Sequence, residues 1–459
     1  MGKFTDASPK ASSEIAMLSS IGYSLNSAIS DIIDNSIHAL HLKKETKPFI
    51  KVKIPPGTNN PQISIQDNGI GMIEKELLES MVIGCKNPND ERGDKDLGRF
   101  GSGLKTASFS QASKLTVISK KSNKVSAARF DKERINQTDK WDLEMLDKEE
   151  LEKSHLEEIN NLESGTTVIW NGISKYQSEN QSHIDTEAQI AQDIISLKRH
   201  LSHFFHKFMG KGGITFYVNG EKLVPFDPFL SKSKGYQEGL EEKVRISGKE
   251  YITIKYHIIP HISKLTIEEE ESLGGKEEIT SKQGMYIYRA NRLIIEGDWM
   301  GIAPKTEMNG LVRIEMHVPT SLDKEWDIDV KKTSLRLPNT IRNKMKRLSA
   351  EPRKRSKRTV IYRGDEEKAN NYWDIVDNRR EKIITYGIAT ENDEINNLTK
   401  KLNKDTLHLL NKYLRKLALN LPLNHIANSM NVNPKEIQLE STDFSMLEKE
   451  LEKIWKDKK

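Results

Sequence analysis

The feature that most constrains this 459-residue chain is a long segment that is almost free of charge. Lys, Arg, Asp and Glu make up 30% of the sequence, yet between Ile15 and Leu42 only Asp31 and Asp34 are charged. The apolar spacing predicts a helix over about residues 24–40, with Leu25, Ile29, Ile32, Ile33 and Leu40 on its core side. The opposite side carries Ser24, Asp31, Asn35 and His38. A solvated helix face in such a charged protein would carry Lys and Glu. The stripe is therefore predicted to line a cavity, with an ordinary solvated face as the alternative.

Two runs of alternating apolar residues follow this helix. "FIKVKI" (49–54) and "QISIQD" (62–67) flank the turn-rich "PPGTNNP", which predicts a β-hairpin. The alternation places Asp67 on the interior side of its strand. A buried carboxylate needs a hydrogen-bond donor, and the exocyclic amino group of adenine would serve. Gly69 and Gly71 in "NGIGM" allow the backbone to turn and to approach a flat ligand closely.

A glycine-rich stretch, "GRFGSGLKTAS" (98–108), has features of a phosphate-binding loop. Glycines 98, 101 and 103 free backbone N–H groups for phosphate oxygens, Lys105 adds a cation, and a helix N-terminus follows. Leu104 separates the last glycine from the lysine, so the stretch does not match the motif G-x-x-x-x-G-K-[ST]. A merely flexible loop would explain the same glycines.

Composition and charge exclude several classes of protein. No apolar run approaches the roughly 18 to 20 residues of a membrane span, and "MGKFTDASPK" lacks the apolar core of a signal peptide, so a cytoplasmic protein without a membrane partner is predicted. Cys85 is the single cysteine, which excludes an intrachain disulfide. Residues 342–363 carry ten Lys or Arg against one Glu. Such a cluster is typical either of a phosphate-backbone contact or of a solvated linker.

Taken together, "DIIDNSIHA", "DNGIGM", "LGRFGSGLKTAS" and "GTTVIW" resemble, in order and spacing, the four nucleotide-binding boxes of the GHKL superfamily, which includes gyrase, the heat-shock chaperone, histidine kinases and MutL. The sequence is most similar to the MORC branch and its bacterial relatives, because "GRFGSGLK" resembles that branch's G-R-Y-G-N-G-F-K box. "GMYIYRANRLI" also resembles the transducer strands of those proteins. The likeness covers roughly residues 10–335.

The resemblance implies an α+β fold in several parts. Residues 1–183 would form a Bergerat-type ATP-binding α/β sandwich, and residues 184–340 a transducer-like α+β domain. Residues 341–365 would be a basic linker, and residues 366–459 a helical C-terminal region.

The resemblance also implies roles for individual residues, with ATP and Mg²⁺ as cofactors. Asn35 would coordinate Mg²⁺, and Asp67 would bind the adenine amino group with Thr166 beside it. Gly69, Gly71 and Met72 would shape the adenine pocket. The lid over the phosphates would comprise Gly98, Arg99, Phe100, Gly101, Ser102, Gly103, Leu104 and Lys105. Asp31 falls where the ATPases carry Glu as general base, and Lys331 or Lys332 is the candidate for the transducer lysine that reaches the γ-phosphate.

The predicted function is an ATP- and Mg²⁺-dependent ATPase that acts as a dimeric clamp closed by nucleotide. The family suggests work on DNA in a bacterial restriction or anti-phage system, which residues 342–363 would contact. Asp31 is one methylene shorter than Glu, and His38 stands where relatives commonly carry Asp. An ATP-binding switch with little hydrolysis is therefore an alternative. A histidine protein kinase is a weaker one, because only about twenty residues precede the first box, with no phosphoacceptor hairpin.

Overall fold

The computed structural model describes residues 9–56, 62–82, 103–177, 183–246, 250–322, 326, 337–361, 373–378, 383–388, 399–400 and 402–420. Its α-helices are α1 (Ala11–Ser20), α2 (Leu25–Lys43), α3 (Glu74–Met81), α4 (Gly103–Gln111), α5 (Lys132–Thr138), α6 (Lys153–Asn160), α7 (His183–Phe204), α8 (Ile267–Ser272), α9 (Lys276–Ser281), α10 (Asn339–Leu348), α11 (Ala350–Ile361) and α12 (Lys404–Leu419). Its strands are β1 (Phe49–Lys53), β2 (Ile63–Asp67), β3 (Ala112–Lys121), β4 (Lys124–Asp131), β5 (Glu144–Met145), β6 (Gly165–Ile173), β7 (Thr215–Val218), β8 (Glu221–Lys222), β9 (Gln237–Glu238), β10 (Glu242–Arg245), β11 (Tyr251–Ile258), β12 (Gly284–Arg289), β13 (Arg292–Asp298), β14 (Val312–Val318), β15 (Trp373–Asn378) and β16 (Ile383–Ile388).

A mixed sheet with the order β5-β4-β3-β6-β2-β1-β7-β8 organises the first part of the chain. The predicted hairpin is confirmed, since β1 pairs with β2 antiparallel and Ile50 lies opposite Asp67. β6, predicted from "GTTVIW", lies on the other side of β2, where it places Thr166 opposite Asp67. The ends of these strands therefore bring Asp67 and Thr166 together.

Helix α2 packs across this sheet and confirms the helix predicted from the charge-poor segment. The Ser24 side chain accepts a hydrogen bond from the Ser27 N–H at its start. At its end Lys44 adopts a left-handed conformation and donates its N–H to the Leu40 carbonyl. Core-facing residues such as Ile29 and Ile33 are fully buried and pack with side chains from the sheet and from α1, α4 and α7. The opposite face of the sheet is covered by α6, with Ile118, Ile159 and Ile169 in contact there. These layers form the predicted α/β sandwich.

A second sheet, with the order β10-β11-β14-β12-β13 and β9 beside β11, follows in the chain. Its apolar core includes Trp299 and Trp326. The predicted basic linker at 341–365 is wrong for the part that the structure describes, because residues 339–361 form α10 and α11. Ile341 and Met345 recur at helical spacing and are buried in the core of the second sheet. The basic side chains occupy the other face of these helices.

The described part of the C-terminal region contains strands as well as helix. β15 and β16 form an antiparallel pair, which the prediction of a helical region did not include, whereas α12 agrees with it. Among the residues that the structure describes, no helix is long and apolar enough to cross a membrane.

Candidate nucleotide-binding site

Asp67 is buried, as the alternation of its strand predicted, with a side chain that is 4% exposed. Its Oδ2 accepts a hydrogen bond from the Ser36 hydroxyl at 2.9 Å, and its Oδ1 accepts one from the Gly69 N–H at 2.9 Å. Burial raises the pKa of the Asp67 carboxyl to about 6, against the lowering effect of these two bonds and of the Thr166 backbone. The carboxylate is therefore held in place by neutral donors, and it is ionised at neutral pH.

Gly69 and Gly71 are required by close packing of the backbone. A Cβ on Gly69 would lie 2.7 Å from the Ala39 Cβ of α2. Gly71 has a φ of +66°, and a Cβ there would lie 1.9 Å from the Lys120 carbonyl oxygen. The two glycines thus let the segment after β2 pass between α2 and β3, and this path fixes the position of the Asp67 carboxylate.

The hydroxyl groups of Ser119 and Thr166 lie close to the segment that follows Asp67. The Ser119 hydroxyl lies 2.8 Å from the Thr166 hydroxyl, and it accepts a hydrogen bond from the Met72 N–H at 2.9 Å. Met72 and Thr166 are half-buried, whereas Ser119 is fully buried. Asp67, Met72 and Thr166 therefore lie in one group, and their contact with adenine stays a prediction.

The carboxylates of Asp31 and Asp34 are buried and share a cation. The Tyr23 hydroxyl donates to Asp31 Oδ2 at 2.9 Å. Nη1 of Arg292 lies 3.7 Å from Asp31 Oδ1 and also donates to Asp34 Oδ2. Asp31 and Asp34 are 4% and 1% exposed, so neither faces bulk water. The proposed general base is thus held by a phenol on one side and a guanidinium on the other.

Asn35 lies on the same helix as Asp31 and Asp34, but it is exposed where they are buried. Its side chain has no hydrogen-bond partner among the described residues. An amide carbonyl is a hard oxygen ligand that suits Mg²⁺, which commonly takes one or two protein ligands and completes its shell with water and substrate phosphates. Within the described ranges no cluster of three or more His, Cys, Asp or Glu side chains could hold a metal by itself. The donor set therefore fits a cation that arrives with a phosphate ligand.

The first residues of α4, 103–105, are the described part of the predicted lid. Gly103 begins the helix, and no atom of the described residues lies within 4 Å of a Cβ built there. The Lys105 side chain is buried, and its ammonium donates to the Ser80 and Val82 carbonyls at 2.8 Å each. These carbonyls end α3, whose dipole favours a cation. Lys105 therefore caps α3 in this structure, and its contact with phosphate stays a prediction. Gly98, Arg99, Phe100, Gly101, Ser102, Lys331 and Lys332 lie outside the described residues.

Sequence reasoning missed three residues that hold the site. Ser36 follows Asn35 directly, and only the three-dimensional packing shows that its hydroxyl reaches Asp67. Tyr23 lies just before the N-cap of α2, where an aromatic residue gives no sign of a hydrogen bond to Asp31. Arg292 lies 258 positions after Asp34, and no periodicity in the sequence connects the two.

Comparison with known proteins agrees with this geometry. Residues 23–166 match the family model described as histidine kinase-, DNA gyrase B-, and HSP90-like ATPase. No curated protein matched the chain. The match spans α2, the Asp67 hairpin, α4 and β6 as far as Thr166, and it does not separate the MORC branch from other branches. The family match supports placing residues 23–166 in the GHKL superfamily of ATP-binding domains.

Proposed function

We propose that this chain is an ATP- and Mg²⁺-dependent ATPase whose adenine site is built around Asp67. The observation that carries the proposal is the buried carboxylate. A carboxylate offers about four acceptor positions, and among the described residues Ser36, Gly69 and the Thr166 backbone use three of them. The remaining capacity suits the exocyclic amine of adenine, directly or through water. Met72 and Thr166 flank the place where the ring would lie.

The triphosphate would extend from Asp67 along α2 towards Asn35. Ser36 bonds to Asp67, and Asn35 is the adjacent residue on the same helix, so one helix serves both ends of the ligand. Asn35 would hold the Mg²⁺ that accompanies the phosphates, and Mg²⁺ would offset their negative charge. The N-terminus of α4 and the lid at 98–105 would supply backbone N–H groups and a cation to the phosphates.

Hydrolysis would use Asp31 as general base. Asp31 accepts a proton from the attacking water as the new bond to the γ-phosphorus forms and the bond to the ADP oxygen breaks. Lys331 or Lys332 offsets the charge on the transferred group. Tyr23 holds one oxygen of Asp31, which leaves the carboxylate in a defined orientation.

A second candidate is an ATP-binding switch with little turnover. The burial of Asp31 and its contacts with Tyr23 and Arg292 favour it, because a carboxylate that accepts from a phenol and faces a guanidinium is restrained from meeting water. The switch shares the Asp67 and Asn35 contacts with the ATPase and differs only in the fate of the γ-phosphate.

Phosphate release separates the two candidates. The ATPase predicts turnover in the wild type, a fall of about 10²-fold or more in Asp31→Asn with ATP affinity retained, and loss of Mg²⁺-dependent binding in Asn35→Ala. Asp193→Asn is the matched control, because Asp193 is a buried aspartate bonded to Lys175 and Tyr176 outside this site. Tight ATP binding without phosphate release in the wild type would reject the ATPase in favour of the switch.

The wider role that we propose is a dimeric clamp that closes on ATP and acts on DNA, in the setting of a restriction or anti-phage system that the resemblance implies. Its support is the basic face of α10 and α11, where Lys344, Lys346, Arg347, Lys354 and Lys357 are exposed. Ile341 and Met345 of α10 are buried in the core of the second sheet, and the Ser356 hydroxyl of α11 donates to the Met308 carbonyl, so both helices are anchored beneath these cations.

A DNA-binding titration across salt concentrations tests this role. Neutralising Lys354 and Lys357 to Gln should flatten the slope of log K against log salt by about two units, one for each lost phosphate contact. Neutralising Lys211 and Lys232, which are exposed on other surfaces, is the control and should leave the slope unchanged. An unchanged slope in the first variant would reject DNA contact through this face.

A further inference from the structure

The tip of the β12–β13 hairpin packs against the core of the first sheet. Arg289 and Arg292 pair across a two-residue turn in which Ala290 and Asn291 have φ values of 46° and 69°. Such a turn follows the natural twist of the two strands and projects its flanking residues at the end of the hairpin. Ala290 packs against the apolar core of the first sheet. One short loop of the second sheet is therefore anchored beside α2.

Arg292 is the charged residue that this hairpin delivers to α2. Its side chain is 4% exposed, and its guanidinium lies over the Phe205 ring at 5.1 Å. Nη1 bonds to Asp34 and lies 3.7 Å from Asp31 Oδ1. Asp31 and Asp34 are three positions apart on α2, which places them on one side of the helix where a single guanidinium meets both. Arg292 thus places a guanidinium within 4 Å of the proposed general base.

The ion pair between Arg292 and Asp34 lies in buried surroundings that contain a second carboxylate, Asp31. His200 is in contact with Ser30 of α2, and burial holds the pKa of its imidazole at about 3, so it is neutral. Two buried carboxylates therefore face one guanidinium at this point. A buried ion pair is weak evidence for stability, since apolar residues of similar volume often stabilise as well. Its best-attested use is to fix a particular register between elements, here between α2 and the second sheet.

We infer that Arg292 is a positioning residue for hydrolysis: it holds Asp31 through the shared contact with Asp34 and transmits the position of the second sheet to the proposed general base. The inference rests on the proposed ATPase and extends it, because it assigns a role to a side chain outside the nucleotide pocket. Movement of the β12–β13 hairpin would carry the guanidinium along α2 and change how firmly Asp31 is held.

Arg292→Lys tests this role because lysine keeps the charge but has neither the reach nor the fork of a guanidinium. We expect kcat for phosphate release to fall about 10²-fold, the scale reported for a catalytic group displaced by about 1 Å. The Kd for ATP, from calorimetry, should stay within about threefold of the wild type, because Arg292 does not contact the Asp67 side of the site.

Arg313→Lys is the matched control. Arg313 is a fully buried arginine of the same sheet whose guanidinium donates to the carbonyls of Gly310, Val312 and Ile279 and also lies beside the Tyr286 side chain, without a carboxylate of α2 among these partners. Its replacement should lower the melting temperature and leave both kcat and Kd unchanged. A fall in kcat of the same size in both variants would mean that Arg292 is only a structural residue.

A double variant keeps the test decisive if Arg292→Lys does not fold. Asp34→Asn combined with Arg292→Gln replaces the ion pair by two amides, so that Asp31, still bonded to the Tyr23 hydroxyl, is the carboxylate that remains at this position. The same fall in kcat at unchanged Kd supports the inference. Turnover at the wild-type rate in either folded variant overturns the positioning role and leaves the ATPase standing. A wild type that binds ATP without turnover overturns both.

Discussion

The burial of Asp67 predicts an unusual dependence of stability on pH. Its pKa is raised from 3.8 to about 6 in the folded protein. The folded state therefore retains a proton that the unfolded chain releases between about pH 4 and 6, so the contribution of Asp67 to stability falls as pH rises through that window. A pKa shift of this size lowers the free energy of unfolding by about 2 kcal/mol between about pH 4.5 and pH 8.

The variant Asp67→Asn removes this titration and keeps the shape of the side chain. Its amide oxygen can accept from the Gly69 N–H, and its amide nitrogen can donate to the Ser36 hydroxyl, so the loss of hydrogen bonding costs about 1 kcal/mol or less. Relative to the wild type, the variant should therefore gain about 2 kcal/mol on going from about pH 4.5 to pH 8.

Urea unfolding of the full chain at the two pH values measures this difference. An equal dependence of free energy on urea in both proteins shows that the difference in midpoint reports stability. Other titrating groups, such as the Glu296 carboxyl with its lowered pKa, are common to both proteins and cancel. A stability difference that is the same at both pH values would refute the claim that burial raises the pKa of Asp67.

Two further predictions concern the same segment. ATP affinity should fall about tenfold for each pH unit below about 6, because protonated Asp67 loses its acceptor for the adenine amine. Ser36→Ala removes a donor to the carboxylate and should therefore move this decline to higher pH. Binding calorimetry across pH measures both effects. If the affinity of Ser36→Ala declines over the same pH range as that of the wild type, the decline comes from titration of ATP and not of Asp67. Gly71→Ala should destabilise the chain by about 3 kcal/mol or more or prevent folding, since its Cβ would lie 1.9 Å from the Lys120 carbonyl oxygen. Gly22→Ala, where no atom lies within 4 Å of the added Cβ, should keep the wild-type melting temperature. Equal melting temperatures for the two variants would contradict the packing described for Gly71.

Local patterns were sufficient to predict the first layer of the fold. The charge-poor amphipathic segment became α2, and the alternating runs became the β1–β2 hairpin with Asp67 inside. Alternation placed Asp67 on the interior side of β2, but Ser64 and Gln66 on its other side are buried as well, because helices cover both faces of the sheet. The prediction of a linker at 341–365 followed the high density of basic residues. It did not use the helical spacing of Ile341 and Met345, whose side chains are buried against the second sheet.

Contacts between distant parts of the chain could not be predicted in the same way. Sequence spacing predicted the polar stripe of α2, but it did not show that Asp31 is buried while Asn35 is exposed. Tyr23 and Arg292 both contact Asp31, and Arg292 comes from the second sheet, far away in the sequence. The roles of Lys331 and Lys332 stay predictions from the resemblance.

Binding calorimetry with ATP and Mg²⁺ measures whether the Asp67 carboxylate binds the nucleotide. We expect saturable heat for the wild type and for Asp193→Asn, whose buried carboxylate lies outside the site, and none for Asp67→Asn at the same concentrations. Far-ultraviolet circular dichroism would show that all three proteins are folded. Folded wild-type protein that produces no saturable heat, or an Asp67→Asn variant that binds ATP as tightly as the wild type, would contradict this expectation.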